Sequence, residues 1–131
     1  TKYYSDKGAR CVIGFGHHQR FFIYTLSADM RKGYNGLAGI VRNELNNDPL
    51  SGDVYVFFGK NRQIVKMLCW DKDGFALYSK RLERGVFENL QGVIQSPSQE
   101  IAYQHLVMLM SGISLVGLRQ KTRYLLTKKV V

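Results

Sequence analysis

Residues 29–58 read DMRKGYNGLAGIVRNELNNDPLSGDVYVFF, and the fold turns on this stretch. Met30, Tyr34, Leu37, Val41 and Leu45 are apolar at helical spacing, which predicts a helix with one buried face. Asn46-Asn47-Asp48-Pro49 ends it, because a proline pushes the preceding residue out of the α region. Asp48 to Asp53 collects turn formers, and Val54 to Phe58 is a wholly apolar run of strand length. Gly33, Gly36 and Gly39 fall inside this helix, where glycine costs about 0.5–1 kcal/mol relative to alanine. They predict either a close backbone approach or a less regular segment.

Upstream, Gln19 to Leu26 alternates as a strand, Ser27 reads as the helix N-cap, and Asp29 in the first turn complements the helix dipole. Further upstream, Val12, Ile13 and Phe15 could form a short strand. Downstream, Ile64 to Trp70 and Phe75 to Leu82 are strands. Gly59-Lys60-Asn61-Arg62 precedes the first of them, and Asp71-Lys72-Asp73-Gly74 joins them, its Asp-Gly pair suiting a hairpin with φ > 0. Strands joined by loops this short pair antiparallel. After a polar stretch at 83–99, Ser96, Pro97 and Gln99 read as N-cap, first-turn proline and capping-box partner of a second helix. That helix runs to about Ser111, with Gly112 at its C-terminal cap and Ala102, Leu106, Leu109, Met110 and Ile113 on its apolar face. The expected class is α+β: strand, helix, three-stranded antiparallel meander and helix, with a single antiparallel sheet covered by helices. Residues 1–18 are expected to be an irregular basic segment, 19–113 one globular domain, and 114–131 a basic tail or partial helix.

The 131 residues carry a formal charge of +9. Residues 1–20 hold four basic and one acidic side chain, 21–100 hold ten and nine, and 101–131 hold five and none. By this count the middle is balanced and the ends are basic, which points to a polyanionic partner. Two cysteines, Cys11 and Cys69, are too few for a disulfide framework or zinc site and are expected as free thiols in a reducing cytoplasm. No apolar stretch approaches membrane-spanning length, and no apolar signal segment opens the chain.

Motifs for chemistry are weak. His17-His18 lacks further ligands at useful spacing. Gly14-Phe15-Gly16 is a fragment of a dinucleotide fingerprint without its helix. Asp71-x-Asp73-Gly74 opens like a calcium loop but lacks the closing glutamate. The serines have no nearby His–acid pair, and Asp29, Asp53, Asp71, Asp73 and Glu83 read as caps and turns rather than a two-metal site. No catalytic residue, metal, cofactor or small-molecule ligand is therefore expected. The cations are more informative. Arg31 and Lys32 sit where a helix entrance disfavours positive charge, which leaves a ligand-facing role open. Lys60 and Arg62 lie on a turn, Lys80, Arg81 and Arg84 close the third meander strand, and Arg119, Lys121 and Arg123 lie in the tail. These ten are the candidate nucleic-acid contacts. Tyr55, Trp70, Phe75 and Tyr78 are interleaved with such charges as on a base-stacking sheet, although alternation on a half-buried sheet favours them as core.

Three blocks, DMRKGYNGLAGIVRNEL, DPLSGDVYVFFGKNR and IVKMLCWDKDGFALYSKRLERGVFE, together resemble the small accessory protein of IS-sixty-six-type insertion sequences, often called TnpB. The likeness covers about residues 20–88, with an echo in HLVMLMSGI at 105–113. Its matching positions include Asp29, Met30, Arg31, Lys32, Gly36, Leu37, Asp48, Pro49, Ser51 and Gly52. They continue with Trp70, Asp71, Gly74, Lys80, Arg81, Leu82, Glu83 and Gly85. The resemblance implies a bacterial mobile-element protein encoded beside a larger transposase and without that enzyme's acidic triad. Its expected partners are DNA at the insertion-sequence ends and the cognate transposase. The competing readings are a small basic nuclease and a module for protein contacts alone.

Overall fold

The computed structural model describes residues 19–90 and 94–112. In chain order the elements are β1 (Phe21–Ser27), α1 (Tyr34–Asn43), β2 (Val54–Phe58), β3 (Ile64–Asp71), β4 (Gly74–Arg81), β5 (Ser98–Ile101) and α2 (Tyr103–Met110). One five-stranded sheet has the order β4-β3-β2-β1-β5. The expected α+β class and the antiparallel β2-β3-β4 meander are present.

One pairing departs from the expected all-antiparallel sheet. β1 runs parallel to β2, with Phe21 opposite Val54 and Ile23 opposite Val56. A parallel neighbour needs a long crossover, and α1 supplies it by returning the chain to the end where β1 began. β1 is thus an inner strand between β2 and β5, with Phe21, Ile23, Tyr24 and Thr25 all buried.

The first helix is shorter than its apolar spacing predicted. Ser27 is the last residue of β1 rather than an N-cap, and the Ala28 amide donates to the Phe58 carbonyl at 2.9 Å, which prolongs the parallel seam. Gly33 caps the helix without a side-chain bond. Met30 and Leu45 lie beyond the two ends of the helix yet pack into the cluster its face builds. Loop residues thus complete a stripe that looked continuous. Only Gly36 among the three glycines meets something close: a Cβ there would lie 2.9 Å from Lys32 Cβ and Cγ. The constraint comes from a side chain of the preceding loop, not from another backbone.

The second helix starts later than its capping signals indicated. Ser98–Ile101 is a strand antiparallel to β1, and Ala102, not Ser96, holds the N-cap position. Without β5, the outer edge of β1 would leave buried amides unpaired. The Thr25 amide donates to the Pro97 carbonyl at 2.9 Å and Thr25 Oγ1 to the Ser96 carbonyl at 2.7 Å. At the β3–β4 hairpin Lys72, not Gly74, takes the positive φ, because Gly74 already pairs with Asp71 as the first residue of β4.

Each sheet face carries its own core. Leu37, Ala38, Ile40 and Val41 of α1 pack on Tyr24, Tyr55, Phe57 and Leu68. The other face carries Phe21, Ile23, Val54, Val56, Phe58 and Val65, covered by Leu106 and Leu109 of α2 and by Phe87, Leu90 and Ile94. Those last three come from the stretch read as polar, which in fact supplies a buried layer. Burying an aromatic such as Phe57 or Phe58 contributes about 1.5–3 kcal/mol, and both are fully enclosed. Cys69 is buried in β3, and the other cysteine, Cys11, lies outside the described residues. The possible strand at 12–15, the His17-His18 pair and the tail from 113 lie outside the described residues.

Candidate nucleic-acid interface

Parallel pairing of β1 with β2, followed by the antiparallel meander, brings the ends of β1, β2 and β4 and the start of β3 to one end of the sheet. All seven candidate cations within the described residues sit there: Arg31 and Lys32 after β1, Lys60 and Arg62 between β2 and β3, and Lys80, Arg81 and Arg84 around the end of β4. Lys66, mid-strand in β3, reaches toward the same end, donating from Nζ to the carbonyls of Met30 at 2.9 Å and Lys32 at 3.1 Å. These eight cations are accompanied by three carboxylates, Asp29, Glu83 and Glu88. At the far end three cations, Arg20, Arg42 and Lys72, face six carboxylates, Glu44, Asp48, Asp53, Asp71, Asp73 and Glu100. The middle of the chain, balanced in total, is therefore strongly polarised. The positive pole of the α1 macrodipole adds to the basic end, and no acidic residue occupies the helix's first turn.

The cations differ in how far the fold commits them. Arg31 pairs with Asp29 at 2.8 Å, and Asp29 Oδ1 also accepts the Arg31 backbone N–H at 2.9 Å. These bonds hold the Asp29 carboxyl well below the usual carboxylate range. Arg81 pairs with Glu83 at 3.1 Å, both side chains being largely exposed. Arg62 is the most committed. Its guanidinium lies 4.3 Å from the Phe58 ring centroid and donates to the carbonyls of Phe87 and Glu88. Burial lowers its pKa from the ordinary value, so its charge is held at a desolvation cost. It fastens the 83–90 segment under the sheet. Lys32, Lys60, Lys80 and Arg84 are exposed.

Adjacent positions in sequence are not adjacent on the surface. Lys80 pairs across β4 with Val65, and Arg81 with Ile64, so the two side chains leave opposite faces of the sheet. Alternation favoured the interleaved aromatics as core, and of the four only Tyr78, two residues before Lys80 on β4, is exposed. Tyr55 is buried, and Trp70 and Phe75 meet edge to face at 5.1 Å beside the far-end hairpin. Arg119, Lys121 and Arg123 lie outside the described residues.

Among the basic loops lies a feature that sequence reading missed: an open cleft of about 720 Å³ lined by Ser27, Ala28, Asp29, Met30, Gly59, Lys60, Asn61 and Ile64. It sits outside the carboxyl ends of two parallel strands, where open sheets with helical crossovers commonly bind ligands. Gly59 is required there, since a Cβ would come within 2.7 Å of Met30 Cγ. The signal in sequence is that glycine directly after an apolar strand, but it acquires meaning only once Met30 is placed opposite.

Among the described residues no group of three or more His, Cys, Asp and Glu could hold a metal ion, and no helix is long and apolar enough to cross a membrane. A family profile described as IS66 Orf2 like protein matches residues 19–120. The uncharacterized protein y4jC of Sinorhizobium fredii (strain NBRC 101917 / NGR234) is 37% identical over 76 residues, which cover 58% of this chain and 65% of y4jC. The uncharacterized protein y4hO of the same strain is 36% identical over 106 residues, covering 78% of this chain and 87% of y4hO. No solved structure matches the chain. The profile spans both covering layers and every strand of the sheet, and the chain belongs to the IS66 Orf2-like family of insertion-sequence accessory proteins.

Proposed function

We propose that this protein is a non-catalytic accessory factor in transposition, and that the basic end of its sheet binds the phosphate backbone of DNA at the insertion-sequence ends alongside the cognate transposase. The observation that carries this reading is the gathering of Arg31, Lys32, Lys60, Lys80, Arg81 and Arg84 at one end, away from the carboxylates of the other. Backbone contacts of this kind position a protein without reading sequence. Site selection would then fall to the transposase.

The test is fluorescence anisotropy with a duplex carrying an element end, measured over a series of salt concentrations. Log affinity is expected to fall linearly with log salt, with a slope of about −0.9 per phosphate contact. Replacing Lys80, Arg81 and Arg84 together with alanine should flatten that slope and leave thermal unfolding nearly unchanged. Binding that is absent at low salt, or insensitive to salt, overturns the reading.

A further inference from the structure

We infer that the cleft between the 27–30 and 59–61 loops takes one unpaired nucleotide, so that the protein prefers DNA carrying a single-stranded end over a blunt duplex. The inference rests on the DNA-binding reading above and deepens it. Ala28, Met30 and Ile64 give the cleft an apolar lining, and Ser27, Lys60, Asn61 and Asp29 line it as well, the Asp29 carboxylate being paired with Arg31 and Lys32 following in the same loop. A base is a flat, largely apolar disc flanked by phosphates, so it needs carbon surface for its faces and cations beside it. This end of the fold offers both in one place. The volume, about 720 Å³, lies within the range of sites that enclose small organic ligands. The walls are also pre-set: Lys66 holds the Met30 and Lys32 carbonyls, and Gly59 lets Met30 approach the β2 end closely. A duplex presents phosphates to the same cations but keeps its bases stacked, and entry into the cleft would require unpairing one.

The experiment compares a blunt duplex with an overhang substrate of equal phosphate number, using the wild-type chain, Ser27→Trp and Asn61→Trp. Both substituted residues are exposed rim positions whose indoles would fill the cleft. Wild type is expected to bind the overhang about tenfold more tightly, the scale of one base held on a protein surface. Both variants should lose that preference while keeping duplex affinity and melting temperature. Equal wild-type affinities for the two substrates overturn the inference, as does a preference that survives in both variants. Variants that keep the DNA preference but no longer co-purify with the transposase assign the cleft to a protein side chain and also overturn it. Failure to bind either substrate defeats the DNA reading itself.

Discussion

The two ends of the sheet are made by the same chain in alternation, yet they carry opposite charge. The connections 28–33 and 59–63 and the start of the segment after β4 lie at one end, whereas 44–53 and the 72–73 hairpin lie at the other. The first three connections thus switch from basic to acidic and back to basic, and the hairpin is acidic only with the flanking Asp71 counted. Any window long enough to span two of them averages the charges away. Polarity of this kind is written in sequence at the period of the strands, not at the scale of domains or tails. It becomes visible only when the strand directions are known.

The largest effect should come from reversing charge at the basic end. Lys32→Glu combined with Lys60→Glu is expected to weaken duplex binding by about 100-fold or more at low salt, because two contacts are lost and two repulsions gained. An equilibrium binding titration checks it, with circular dichroism confirming the fold. Arg62→Ala addresses the basic-end cation that the fold commits most fully. Removing its ring contact and two carbonyl bonds should cost about 2–3 kcal/mol in urea unfolding, an effect on stability that leaves the salt slope of binding nearly unchanged.

Acid titration separates both ends from the layer beneath the sheet. His105 is buried in α2 with Nδ1 unpartnered, and burial lowers its pKa. Its folded pKa lies below the unfolded one, so the unfolded chain binds the extra proton first. The contribution is intact above about pH 6.5 and is lost as pH falls through the folded pKa. Melting temperature should therefore decline on the acid side, and His105→Met should reduce that decline. The smallest effect belongs to the acidic end. Asp71→Asn with Asp73→Asn should change stability by less than about 0.5 kcal/mol and raise DNA affinity less than about threefold, since these residues lie a full strand length from the cations.

Much of the fold was legible in sequence because local signals and tertiary needs agreed there. The wholly apolar Val54–Phe58 run, short turns and Asp-Gly punctuation sufficed for the meander. Where they disagreed, tertiary pairing won. Ser96-Pro97-x-Gln99 carries every mark of a helix start, but the open edge of β1 claims the segment as β5. Likewise Met30 keeps helical spacing with Tyr34 although a capping glycine separates them. The candidate cations were identifiable one by one, but their convergence was not. That convergence depends on the parallel β1–β2 pairing, which no periodicity within either strand encodes. The structural role of Arg62 was hidden for a related reason: its partners, Phe87 and Glu88, lie in a polar stretch with no periodicity to mark its buried residues.

Amide chemical-shift mapping during a DNA titration tests the division of the molecule most directly. The account predicts that the amides of Lys32, Lys60 and Arg84 move as duplex is added, that those of Asp53, Asp71 and Asp73 stay in place, and that raising salt reverses the movement. Shifts concentrated at the Asp71–Gly74 hairpin, or spread evenly over both ends, would contradict it.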